Sequence, residues 1–174
     1  MIKSIIPSKS KLRFLFECCF PFLFTFGLII ISLLPWQLTF ITYFSVPLTY
    51  ASLFYWIVFK NHLMTPFVVF VLGLLADLLT VAPLGFHTLL FLLFYSVVYK
   101  NRYFLRGRSF LFLWLCFAIC CAGLAITQWA LSSLLFLAWQ SLSFFIVQEI
   151  LLVATFPFMT MLCSVCASAV FDEE

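Results

Sequence analysis

Residues 66–90 read PFVVFVLGLLADLLTVAPLGFHTLL, an apolar run holding one charged residue, Asp77, and one break, Pro83 to Gly85. Thr65 can cap a helix that has Pro66 at its first position. Pro83 and Gly85 end that helix and open the next. The run shows none of the dyad alternation with turn residues every ~10 positions that marks a membrane β-barrel. The rest of the chain is equally apolar: 66% hydrophobic and 9% charged over 174 residues, with a mean hydropathy of +1.24. That is too apolar for a water-facing surface, so lipid must be the solvent. In lipid every backbone group must be satisfied internally, and helices do this. A span needs ~20 residues, so this length holds about six or seven helices and no soluble domain.

The fold class expected is an all-α integral membrane protein, a six-transmembrane-helix bundle in a single domain over 1–174. Its helices fall at about 14–34, 39–59, 65–81, 84–99, 109–130 and 143–169. A basic head (Lys3, Lys9, Lys11, Arg13) precedes the first. That run is too long for a signal-peptide core, and no small-x-small site precedes Pro35, so it reads as an uncleaved anchor. Lys and Arg are retained in cytoplasmic loops. Four precede helix one, Lys60 follows helix two, and Lys100, Arg102, Arg106 and Arg108 lie between helices four and five. The alternate connections contain none, which predicts both termini inside, including the tail Asp172 to Glu174. The segment Leu131 to Leu142 reads as an interfacial stretch anchored by Trp139.

The buried acids carry the functional questions, because an ionised carboxylate at a helix centre costs roughly 2.5–3.5 kcal/mol on insertion scales. Glu17 lies one turn from Arg13 and can pair with it. Asp77 follows Gly73 by four residues, so a neighbouring helix can approach at the glycine while the carboxylate finds a partner, a ligand or the backbone donors freed at the Pro83–Gly85 break. Asp77, His87 and Glu149 fall at similar depth, ~6–9 Å below the outer surface at 1.5 Å per residue. With Thr127, Gln128 and Gln148 they form an expected outer polar layer, including an Asp77–His87 pair.

Nothing resembles a catalytic or metal constellation. The seven cysteines sit in apolar runs and behave as small hydrophobes, and the Cys163–Cys166 pair has no second ligand pair. His62 and His87 lack neighbours at ligand spacing. There is no phosphate loop. No cofactor and no nucleic-acid partner are expected, and the basic loop of Lys100, Arg102, Arg106 and Arg108 is explained by retention inside, with anionic lipid contact as an overlay.

Gly73-Leu74-Leu75, Asp77-Leu78-Leu79 and the turn Pro83-Leu84-Gly85, with Tyr55 and Trp56 upstream, resemble the MreD family of bacterial rod shape-determining proteins. The resemblance implies an inner-membrane, non-enzymatic subunit of the cell-elongation machinery that regulates cell shape and peptidoglycan synthesis. Its partner would be an MreC-type periplasmic protein with a membrane anchor, and through it MreB filaments and the elongation peptidoglycan synthases. It also implies a bundle like the substrate-binding subunits of energy-coupling-factor vitamin transporters. This raises the alternative of a small-molecule transporter subunit with Asp77, His87 and Glu149 lining an outward pocket. A scaffold requires these groups to be mutually satisfied and the interior filled; a transporter requires an open cavity.

Overall fold

The computed structural model describes residues 9–33, 48–60, 62–80, 83–136 and 142–171. Among them the chain forms six α-helices and no strand: α1 Lys9–Leu33, α2 Thr49–Phe59, α3 Pro66–Leu79, α4 Phe86–Leu105, α5 Phe110–Phe136 and α6 Leu142–Phe171. The α3 start follows its sequence signals. Thr65 is extended, its side chain accepts from the Val68 N–H at 3.4 Å, and Pro66 occupies the first turn. The helix stops at Thr80, where the backbone turns extended and the hydroxyl donates to the Ala76 carbonyl at 2.9 Å. Helical structure resumes at Phe86, after Gly85 with φ 99°. A side chain rarely adopts that left-handed conformation.

Helix α2 is the hub. Nine of its eleven residues are buried, and it packs against α1, α4 and α6. Phe54 meets Phe117 and Phe156 edge-on at centroid distances of 5.3 and 5.6 Å, and Phe117 stacks on Phe156 at 4.2 Å. Trp56 takes Phe20 and Phe24 of α1 edge-on. Such rings prefer edge-to-face or offset contact because of their quadrupoles. In lipid there is no water to expel between helices, so contacts of this kind and inter-helix hydrogen bonds hold the bundle. Thr25 and Ser52 supply one at 3.1 Å between α1 and α2. Trp114 Nε1 donates to the Val153 carbonyl at 2.9 Å between α5 and α6.

Two helices contain spans long and apolar enough to cross a membrane, Phe110–Leu135 and Ile146–Ser168, and only 22% and 28% of an apolar 18-residue stretch of each is buried inside the protein. Much of α5 and α6 therefore faces outward. Shorter apolar helical stretches cover Cys19–Ser32, Thr49–Phe59 and Pro66–Leu79.

The structure differs from the sequence expectations in three places. Helix α1 begins at Lys9 and not near residue 14, so Lys9, Lys11 and Arg13 belong to its first turns instead of preceding it; no Gly or Pro separates them from the apolar run. Helix α5 continues to Phe136, so Leu131–Phe136 is helix and not an interfacial strip. This stretch has no Gly or Pro to break it, and Ser132 donates to the Trp129 carbonyl within the helix. Helix α4 likewise runs on through Lys100 and Arg102, and only Arg106–Ser109 connects it to α5. Cations suit a helix C-terminus, and the Arg102 guanidinium donates to the Tyr99 carbonyl at 2.9 Å while lying 3.6 Å from the Tyr99 ring centroid. Outside the described residues lie the first part of the expected second helix, the Pro35 break, Trp139, the acidic tail and Lys3. So do the side chains of Lys9, Lys11, Arg13 and Glu17.

Candidate functional site

A helix start leaves backbone N–H groups without intrahelical partners, and in a membrane no water replaces them. At the start of α4 the cap position is Gly85, which has no side chain to accept them. The acceptor comes from α3 instead. Asp77 Oδ2 takes the Gly85 N–H at 2.9 Å and the Thr88 N–H at 3.3 Å, and Oδ1 takes the His87 N–H at 2.7 Å. Thr88 Oγ1 donates to Oδ2 at 2.7 Å, and His87 Nδ1 lies 3.0 Å from Oδ1. With Nδ1 protonated the ring adds a fifth hydrogen bond, and Thr80 Oγ1 stands 3.4 Å from the same nitrogen. The carboxylate is 1% exposed, so its charge is held by these donors and by the positive end of the α4 dipole.

Gly73 makes this possible. A β-carbon there would stand 2.5 Å from the Thr88 Cα, so only glycine lets α4 come close enough for Asp77, one turn further on, to reach the N-terminal donors. Together Gly73, Asp77 and the Pro83-Leu84-Gly85 turn form one junction. Leu84 is 71% exposed and projects from it.

The other sequence-nominated polar residues separate into distinct places. His87, Gln128 and Gln148 line a small cavity of about 90 Å³ with Thr49, Tyr50 and Thr80. Thr127 is not part of that lining; its hydroxyl returns to the Gly123 carbonyl of its own helix at 2.8 Å. Glu149, although next to Gln148, is not part of that lining; it lines a groove between α5 and α6 beside Cys121, with Tyr50 of the cavity within electrostatic reach. The expected single layer is thus a closed junction, a small cavity and a separate carboxyl.

Sequence reasoning did not nominate Thr88 or Thr80. The available signal was the hairpin itself: an acid in the last turn of one helix faces the first turn of the next, so polar side chains there are its natural partners. The basic residues Lys100, Arg102, Arg106 and Arg108 gather at the opposite end of α4, where Arg108 lies 5.0 Å from the Phe104 ring. Among the described residues no group of three or more His, Cys, Asp or Glu is placed to hold a metal ion. All six described cysteines are free.

Residues 10–167 match the sequence profile of the family described as rod shape-determining protein MreD. Searches of curated proteins and of solved structures gave no match.

Proposed function

The chain belongs to the MreD family of rod shape-determining proteins, and from that premise we propose that it is a non-enzymatic scaffold of the cell-elongation complex. In this reading it is one six-span domain in the inner membrane with both termini in the cytoplasm. It binds an MreC-type partner through that protein's membrane anchor, and so connects to MreB filaments and peptidoglycan synthesis. Lys100, Arg102, Arg106 and Arg108 then lie on the cytoplasmic side, within reach of anionic headgroups.

The observation that carries the reading is the closed state of the Asp77 junction. Both carboxylate oxygens are occupied by donors of the chain itself, as a structural group requires. The cavity that His87 lines holds about 90 Å³, well below the ~300–1,000 Å³ of typical small-molecule sites. The bundle would share the helix arrangement of energy-coupling-factor substrate-binding subunits without a ligand pocket at Asp77 and His87. The outward surface of α5 and α6 provides room for partner helices.

Depletion of the protein in its host, followed by microscopy of cell width and of labelled wall insertion, tests this reading. Rounded or swollen cells with loss of lateral insertion are expected. Cells of normal shape whose growth recovers on addition of a nutrient would overturn the scaffold in favour of transport.

A further inference from the structure

Between α5 and α6 the outward surface is indented by a groove of about 620 Å³. Its α5 wall carries Ala118, Ala122 and Ala125, and its α6 wall carries Ala154. Small residues at one-turn spacing let another helix backbone approach closely. The groove also holds Glu149, whose Oε2 is buried and has no hydrogen-bond partner. An unpaired buried carboxyl oxygen is costly in an apolar setting.

Among the described residues no Lys or Arg stands near it. Lys60 ends α2, Lys100 and Arg102 sit near the end of α4, and Arg106 and Arg108 precede α5. Glu149 lies beside Cys121, which is 11 residues after Phe110 at the α5 start, or ~17 Å along the helix at 1.5 Å per residue. The sequence segments 34–47 and 137–141 contain no Lys or Arg. Acyl chains have no donor to offer. A second copy seated in the same groove would bring two Glu149 carboxyls together.

We propose that the α5–α6 groove receives one transmembrane helix of a partner protein, packed on the alanines and carrying an Arg, Lys or amide side chain level with Glu149. This rests on the scaffold reading above and assigns its partner-binding face.

The test uses the full chain co-expressed with the host's MreC-type protein. A photo-crosslinking benzoylphenylalanine replaces Ile126 or Ile150 in the groove, or Phe67 on the exposed face of α3. Adducts with the partner's anchor helix are expected from the two groove positions and not from Phe67. Ala122→Trp, which fills the groove, and Glu149→Leu should each weaken co-purification roughly ten-fold, the scale of one inter-helix hydrogen bond with its packing. Glu149→Gln, which keeps an acceptor oxygen, should retain most of the binding. Adducts from Phe67 alone, or groove adducts only with phospholipid, would overturn the assignment while co-purification kept the scaffold reading. Absence of both adducts and co-purification would overturn both.

Discussion

Asp77→Ala removes an acceptor that serves five donors, and the structure indicates how much of that loss the protein can recover. The Thr88 hydroxyl can turn to a carbonyl one turn back, as Thr25 and Thr80 already do. The His87 ring is 25% exposed and keeps Thr80 nearby. The three backbone N–H groups of Gly85, His87 and Thr88 have no such option. At ~1–3 kcal/mol for each stranded donor the ceiling is ~3–9 kcal/mol. A lost helix cap alone sets a floor of ~0.5–2 kcal/mol. The Gly85 and His87 amides lie at a partly exposed junction and the Thr88 bond is long at 3.3 Å, so the loss should be about 2–4 kcal/mol. This corresponds to roughly 30- to 1,000-fold in the folding equilibrium. Reversible unfolding of the purified protein in mixed micelles with increasing SDS, followed by tryptophan fluorescence, measures it. Asp77→Asn, with one acceptor oxygen and no charge, should fall between wild type and Asp77→Ala. An Asp77→Ala variant within about 0.5 kcal/mol of wild type would refute the capping argument. If that variant also lost partner binding, Asp77 would belong to an interface.

Gly73→Ala should destabilise by ~1–3 kcal/mol in the same assay, because the added carbon meets the Thr88 backbone and cannot be relieved by a rotamer change. Since separation of α3 from α4 also stretches the Asp77 bonds, the double variant Gly73→Ala/Asp77→Ala should cost less than the sum of the single changes; strict additivity would show the two residues to be independent. Gly85→Ala and Gly107→Ala stand at φ +99° and +86° with open space around them, so each should cost ~1–2 kcal/mol from backbone conformation alone, and a neutral result would mean that the turn can re-form with negative φ. Alkaline phosphatase fused after Leu84 should be active and after Arg108 inactive, given retention of the basic loop inside; the reverse pattern would invert the proposed topology.

The α3–α4 hairpin was legible because its signals are local and of different kinds: a capping Thr65, a proline at the helix start, a Pro/Gly break, and a glycine one turn before an acid. Each constrains the backbone wherever the helices sit in the bundle. The continuation of α5 through Leu131–Phe136 was missed for the complementary reason. Leu131–Leu142 is too short for a further span and carries serines and Trp139, which suggested an interfacial stretch, but nothing in LSSLLF breaks a helix, and a serine can satisfy itself on its own preceding turn. The division of the polar residues was also beyond reach. Depth follows from counting along a helix, whereas direction depends on how α5 and α6 rotate against their neighbours. Adjacent residues on a helix point ~100° apart, so Gln148 and Glu149 lie at almost one depth and serve different surfaces.

The two carboxyl groups described in the interior, Asp77 and Glu149, meet the cost of desolvation in opposite ways. Asp77 is buried against the N-terminus of α4, and its donors are covalently part of the same hairpin. Its contribution is present whether or not anything else binds. Glu149 keeps an oxygen that no donor of the described chain satisfies, and it lies between two helices whose apolar spans are largely unburied. A selective pressure for stability alone would favour an apolar residue at that position, since replacing an unsatisfied buried polar group is neutral or stabilising. Glu149→Leu should therefore leave the isolated protein as stable as wild type or more so in SDS titration, while weakening partner association. A marked loss of stability on that change would show that Glu149 serves the fold, and would remove it from the proposed interface.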